Sequence, residues 1–147
     1  MSFDTRNGTR GAWQPRGFLL RLANKMAARR ARRATGDVLV LTTVGRRSGA
    51  ERESPLRGFP GPGGSWLVVA SAGGAAANPG WYYNLSAHPD QVRVETGGRT
   101  VAVVAAQLHG AERDEAWRQI TTAAPQFANY QTKTDRELPV IRLTPKP

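Results

Sequence analysis

VLVLTTVGRRSGAERESPLRGF, residues 38–59, is the stretch that decides the fold. Its first seven residues are β-branched or leucine, apart from nothing more polar than threonine, which fits a buried strand. GRRSG at 45–49 reads as a tight turn, because glycine supplies the backbone freedom a reversal needs. Residues 51–59 alternate weakly and carry Pro55, which has no N–H to offer a second neighbour and therefore belongs on an edge strand or at a bulge. Two strands joined by so short a turn must be antiparallel, since a parallel pair needs a crossover of a dozen residues or more.

The pattern continues toward the C-terminus. PGPGGS at 60–65 is a hairpin loop, and WLVVAS at 66–71 is a buried strand. Residues 72–78 form a Gly/Ala loop, and Pro79 opens a short helix that ends at His88-Pro89-Asp90. Residues 91–95 and 100–107 are strands around Thr96-Gly97-Gly98. Residues 111–123 read as a helix with Glu112, Asp114 and Glu115 in its first turn, where the helix dipole favours acids. A short helical or irregular piece covers 125–131, and LPVIRL at 138–143 is the last strand. The sum is a mainly β, α+β chain: about six mostly antiparallel strands closed into a barrel, with a few helices. There is neither a GxGxxG nor a Walker A sequence, so a parallel nucleotide-binding sheet has no support.

On the N-terminal side, residues 1–14 are polar and Gly-rich and read as a flexible segment without the apolar core of a secretory signal. Residues 15–36 read as a basic helix. Within 16–34, Phe18, Leu19, Leu22, Ala23 and Met26 share one face, Arg21, Lys25, Arg29 and Arg32 share another, and Gly36 is the C-cap. Residues 37–147 then form the barrel domain. The net charge of +10 is uneven: residues 1–36 hold nine Lys/Arg and one acid, leaving only +2 on the rest. A fold that is not itself basic argues against nucleic acid as the partner. The chain has no cysteine, which removes disulfides, thiolate metal sites and cysteine nucleophiles. No apolar run reaches the roughly 20 residues of a bilayer span. These features point to the cytoplasm.

Three segments carry candidate chemistry. In the first, Thr43, Arg46, Arg47, Ser48 and the later Arg52 surround a turn bracketed by two glycines. Successive amides there can converge on an anion, and the arginines add forked, permanently charged donors; the alternative is a solvated hairpin tip. In the second, Ser71-Ala72-Gly73-Gly74 lets backbone approach a flat ligand closely, and Asn78-Pro79-Gly80-Trp81-Tyr82-Tyr83 begins a helix whose free N–H groups can meet an anion. Trp81 and Leu85, four residues apart, also read as core. In the third, Phe127 and Tyr130 share a helical face, followed by Gln131-Thr132-Lys133-Thr134-Asp135-Arg136; they form either the wall of a lid or a loop anchored by aromatics. His88 and His109 have no partners at metal-ligand spacing, and no Ser/His/Asp arrangement is legible.

Taken together and in this order, LTTVGRRSGAERESPL (41–56), VVASAGGAAANPGWYYNLSAHP (68–89) and NYQTKTDRELPVIRLTP (129–145) resemble the deazaflavin-dependent nitroreductase family of actinobacteria. The resemblance implies a split β-barrel related to FMN-binding oxidoreductases. It also implies hydride transfer from the reduced deazaflavin F420 to an electron-poor acceptor such as a quinone or nitroaromatic. By the same resemblance, Thr43, Arg46, Arg47, Ser48, Arg52 and Pro55 would hold the cofactor's anionic tail. Ser71, Ala72, Gly73 and Gly74 would run along the ring with Asn78 and Trp81 close by, and Tyr130 would border the acceptor, with Tyr130, Ser71 or water as proton donor. Ala72 stands where several members carry lysine, and Ala124 where they carry an aromatic. Hydride chemistry needs no nucleophile or metal from the protein.

Two other readings compete. FMN could replace F420 on the same fold, leaving Arg47 and Arg52 surplus to one phosphate. A non-catalytic, cofactor-binding or membrane-surface module would use the basic helix 16–34 at the inner face of the plasma membrane, where basic residues attract anionic lipid. The sequence specifies no oligomeric state.

Overall fold

A computed structural model describes residues 3–14, 17–31 and 37–147. Pro15, Arg16 and residues 32–36, with the expected Gly36 cap, lie outside the described residues, as do the side chains of Phe18, Leu19 and Arg29. Helix α1 (Gly17–Ala31) precedes seven strands: β1 (Val38–Val44), β2 (Glu51–Arg57), β3 (Phe59–Pro60), β4 (Trp66–Val69), β5 (Val92–Thr96), β6 (Arg99–Gln107) and β7 (Val140–Pro145). Helix α2 (Gly80–Ala87) lies between β4 and β5, while α3 (Gly110–Ala123) and α4 (Gln126–Thr132) lie between β6 and β7.

The strands form one antiparallel sheet in the order β2-β1-β5-β6-β7-β4-β3. Its two edge strands, β2 and β3, are consecutive in the chain and separated only by Gly58. The sheet must therefore curl until its edges meet, which makes it a split barrel. Gly58 sits at the seam because a β-carbon there would come within 2.5 Å of Leu39 Cδ2, and its N–H donates to the Asp37 carbonyl at 2.7 Å. The strand expected over 51–59 is thus two strands broken at Gly58, and seven strands are found where about six were expected. Pro55 sits on edge strand β2, opposite Val40.

Strand alternation sorts the apolar residues into two cores. Inside the barrel, Leu39, Leu41, Val68, Val94, Val103, Ile141 and Leu143 pack around Trp81, Tyr82 and Leu85 of α2, which plugs the interior. Outside, Leu67, Val69, Phe59 and Val140 face the opposite way and pack against Ala116, Ile120 and Ala124 of α3 and its end, and Phe127 of α4. Both faces of β4 and β7 are covered, which explains their nearly continuous apolar runs. Each such fully buried side chain stabilises the fold by about 1.5–3 kcal/mol.

Helix α1 lies against β2 and β1 and buries Ala28, while Leu22 and Met26 are half exposed. The face read as apolar is thus partly turned to solvent at Leu22 and Met26.

The segment expected to be flexible is, over residues 3–14, an extended strap hydrogen-bonded to distant parts of the chain. Gly8 N–H donates to the Ala76 carbonyl (2.7 Å) and Ala12 N–H to the Gly74 carbonyl (3.0 Å). Gly11 passes so close that a β-carbon would meet Ala76 N at 2.1 Å. Asp135 accepts from Thr9 N, Thr9 Oγ1 and Arg10 N. These bonds hold its carboxyl well below the usual range, at about 2.

Candidate functional site

The β1–β2 turn is built by its own backbone and fastened from below by α2. Gly45 N–H donates to the Ala50 carbonyl (2.7 Å), and Gly49 N–H donates to the Gly45 carbonyl (2.9 Å). Gly49 has φ of +72°, a conformation that favours glycine. Asn84, buried on α2, accepts from Arg46 N–H at 3.1 Å and donates to Thr43 Oγ1 at 3.1 Å. A buried amide must find partners, and here it finds them in the turn. Arg46, Arg47 and Ser48 are exposed at the tip. The Arg46 guanidinium lies 4.9 Å from the Tyr83 ring centre, a favourable cation–π contact. Arg52 reaches back to Ser48 Oγ at 3.4 Å. Among the described residues, no carboxylate forms an ion pair with Arg46, Arg47 or Arg52. The turn is therefore a cluster of cations and hydroxyl and amide donors with its charge uncompensated, a donor set that fits a phosphate and carboxylate tail.

The neighbouring acid is already engaged elsewhere. Glu51 pairs with Arg93 through two hydrogen bonds, and that pairing lowers its pKa. The pair lies on the outer face, Arg93 in register with Thr42 and Glu51 with Val44. A cavity of about 410 Å³ opens there, lined among others by Thr42, Glu51, Arg93 and Lys146. None of Arg46, Arg47, Ser48, Arg52 or the Ser71–Gly74 segment lines it.

The second segment is a tight loop. Ala72, Gly73 and Gly74 have φ of +46°, +62° and +86°. Gly74 N–H donates to the Ser71 carbonyl and Ala75 N–H to the Ala72 carbonyl. Gly74 is forced to be glycine twice over, since a β-carbon would also come within 2.5 Å of the Tyr130 carbonyl oxygen. This contact brings α4 against the loop. Tyr130 is half-buried, and its ring meets Phe127 edge-on at 5.5 Å.

Three of the expected cofactor residues have their side chains committed to the protein. Trp81 is core. Asn78 is buried: it donates through Nδ2 to the Thr5 carbonyl (2.9 Å) and Tyr83 Oη (3.2 Å), and accepts from Arg136 Nη1 (2.8 Å). Thr43 is likewise buried, supporting the turn through Asn84. The structure brings Arg46, Arg47, Ser48 and Arg52 together at one end of α2, and Ser71–Gly74 with Tyr130 at the other. Tyr83 and Asn78 link the two groups.

Of Tyr82 and Tyr83, one of which the sequence places near the surface or a pocket, Tyr83 is the partly exposed one; sequence reasoning gave no role to Asn84 or to the strap residues that hold this link. Asn7 Oδ1 accepts from Tyr83 Oη (2.6 Å) and Asn78 N (3.0 Å). Tyr82 Oη accepts from Thr5 N and donates to Gln107, whose amide returns to Thr5 Oγ1. Burial raises the Tyr82 pKa. Asn84 was legible in principle, as a polar residue on the buried side of an otherwise apolar helix. His109 Nε2 lies 3.8 Å from Asp4, and among the described residues no three His, Asp or Glu side chains are clustered to hold a metal.

Comparison with known proteins gives the same assignment by an independent route. Residues 19–145 match the model of a family described as F420H(2)-dependent quinone reductase. An F420H(2)-dependent quinone reductase of Mycobacterium tuberculosis is 36% identical over 109 residues, covering 72% of each chain. A solved F420-H2 dependent reductase is 37% identical, with a TM-score of 0.67 over 75% of this chain and 96% of its own. A second solved relative, described as a domain-swapped dimer, is 33% identical with a TM-score of 0.69, over 85% of this chain and 92% of its own. Between the two cofactors left open by the residues, the family is the F420-dependent one, and the split barrel, the cationic turn and the glycine loop agree with it: the chain belongs to the F420H(2)-dependent quinone reductase family and is an F420-dependent oxidoreductase.

Proposed function

We propose that the protein reduces a hydrophobic, quinone-like acceptor, with the β1–β2 turn holding the anionic tail of F420 and the 71–74 loop backing its ring. The observation that carries this is the turn itself: three arginines that, among the described residues, form no ion pair with a carboxylate, set on a backbone fastened by a buried asparagine. When bound, reduced F420 supplies a hydride. The chain's own residues bind, orient and exclude water. Arg46, Arg47, Ser48 and Arg52 neutralise and orient the tail, beside Pro55 on β2. Ser71, Ala72, Gly73 and Gly74 present backbone to the ring, with Asn78 and Trp81 shaping the loop and helix behind it. Tyr130, beside Gly74, walls the acceptor. The proton that completes reduction comes from Tyr130 Oη, Ser71 Oγ or water.

The test is a fluorescence titration with oxidised F420 and, separately, FMN. Tight binding of F420 alone, lost in the R46A/R47A variant, supports the reading. Preference for FMN, or equal F420 affinity in the folded double variant, defeats it.

A second proposal concerns where the acceptor is met. Leu22 and Met26 are exposed on α1, among the exposed Arg21, Lys25 and Arg30, and Trp13 is exposed nearby in sequence. Such a surface suits anionic lipid, and a cytoplasmic enzyme resting there would reach a lipid-soluble quinone. Among the described residues, no helix is long and apolar enough to cross a membrane. Sedimentation with anionic vesicles tests this contact: L22E/M26E should partition less than the parent chain, and equal partitioning rules it out.

A further inference from the structure

Arg136 is almost completely buried, at 2% exposure. An arginine in that position normally has a carboxylate beside it, because a buried unpaired charge is costly. Among the described residues, no carboxylate pairs with Arg136. Both of its sequence neighbours are acids, but Asp135 turns outward to the strap and Glu137 is exposed, 3.7 Å from Arg113. Instead, the guanidinium donates to the Ala75 carbonyl through Nε (3.2 Å) and Nη2 (3.0 Å). Nη1 donates to the Ala70 carbonyl (2.8 Å) and Asn78 Oδ1 (2.8 Å), and Nη2 to the Ser71 carbonyl (2.8 Å). All five N–H donors of the fork are thereby used. Every acceptor belongs to one stretch, residues 70–78.

The loop has a reason to need this. Three carbonyls and a side-chain amide oxygen pointing at one place repel one another unless a cation sits among them. The backbone that aims them passes through three consecutive positive φ angles, one of them at Ala72, where a residue with a β-carbon is strained. In a planar trans peptide, the C=O and the following N–H point in opposite directions. With the carbonyls of Ala70 and Ser71 drawn to Arg136, the amide N–H groups of Ser71 and Ala72 are directed away from it.

We propose that Arg136 is the positioning residue of the cofactor site: it draws the carbonyls of Ala70, Ser71 and Ala75 and the side chain of Asn78 to one point, and so fixes the conformation of the 71–74 loop that would back the F420 ring. The second half rests on the F420 reading above. Arg136 touches neither cofactor nor acceptor; it acts through the loop. Lysine cannot substitute, because it has three donors on a tetrahedral nitrogen where the site uses five in a plane.

The experiment uses the full chain with R136K and R136A. In the absence of ligand, hydrogen exchange of amides 71–78 should rise by about tenfold or more in R136K, while sheet amides keep their protection. F420 affinity of R136K should fall by about tenfold, a difference of 1.4 kcal/mol. Millimolar guanidinium should restore F420 binding to R136A, and the same concentration of sodium chloride should not. R136K decides the matter if R136A does not fold. Wild-type exchange and wild-type affinity in R136K would overturn the proposal. If the parent chain binds no F420 while R136K still loosens the loop, the cofactor reading fails and the hold on the loop stands.

Discussion

The most informative single side chain to perturb is Asn84, because it couples the core to the cationic turn. In N84A, the Thr43 hydroxyl loses its donor in a site that is 1% exposed, and the Arg46 N–H loses its acceptor. An orphaned buried polar group costs about 1–3 kcal/mol, with the Arg46 amide at the low end because water can reach the turn. The expected destabilisation is about 2–4 kcal/mol, or a fall in Tm of about 5–15 °C for a domain of this size. N84D separates packing from charge. One carboxylate oxygen still accepts from Arg46, and the other accepts from the Thr43 hydroxyl, which can rotate to donate. The two hydrogen bonds survive, but the carboxylate brings a charge into a site that is 7% exposed, so stability should fall at least as far as in N84A. The new negative charge would oppose an anion on the turn by about 1.4 kcal/mol, taking roughly 6 Å and an effective dielectric of about 40. F420 affinity should therefore fall about tenfold in N84D, and more salt should shrink the penalty. Thermal denaturation and fluorescence titration read the two effects separately. An N84A protein with unchanged Tm, or an N84D protein that binds F420 as tightly as the parent, would refute the role given to this residue.

Other expectations are as direct. R46A/R47A should weaken F420 binding by more than about tenfold, since charge-assisted hydrogen bonds contribute about 1.5–3 kcal/mol each; the titration already described measures it. G74A should destabilise by about 1–3 kcal/mol more than G49A: both glycines have positive φ, but only at Gly74 does the added carbon meet backbone, the Tyr130 carbonyl at 2.5 Å. Urea titration of the two variants measures the difference, and equal midpoints would count against the packing of α4 on the loop. The Asp135 carboxyl titrates near 2 when folded, below its unfolded value of 3.8. Its hold on the strap should be complete above about pH 4 and fade as the pH falls through 2. D135N should show the loosened strap at neutral pH, as faster proteolysis within residues 3–14; identical cleavage rates for D135N and the parent would refute the anchor.

The barrel was legible because local signals and global topology agree. The apolar run at 38–44 is joined to the next strand by GRRSG at 45–49, and the strands 91–95 and 100–107 are joined at Thr96-Gly97-Gly98; reversals this short leave no room for a crossover and make the pairs antiparallel. The break at Gly58 was not legible, since its cause is a steric approach to Leu39 that exists only once the sheet curls. The strap was missed for a related reason. Thr5, Asn7 and Thr9 have no periodicity, and their partners are 71 to 126 residues away. Of the candidate site, the exposed cations of the turn could be read from residue type alone. Asn78 and Trp81 could not be assigned uniquely to the ligand or the core, because an amide in a loop and an aromatic on a short helix look alike in sequence whichever they face. Arg136 was visible only as one residue in a polar tail, and its burial follows from four acceptors supplied by the 70–78 stretch.

The strap has a consequence for the order of assembly. Thr9 and Arg10 close onto Asp135 across 126 and 125 residues, and Arg10 and Thr134 bond across 124. A contact of such separation is entropically expensive until the intervening chain is in place. On the ribosome the strap emerges well before its partners at 134–135 and finds its seat there only after they are made. Until then, residues 3–14 must wait without those bonds beside the growing chain. The strap is thus a late clasp on the barrel, and a perturbation of residues 3–14 would act on that step rather than on formation of the sheet.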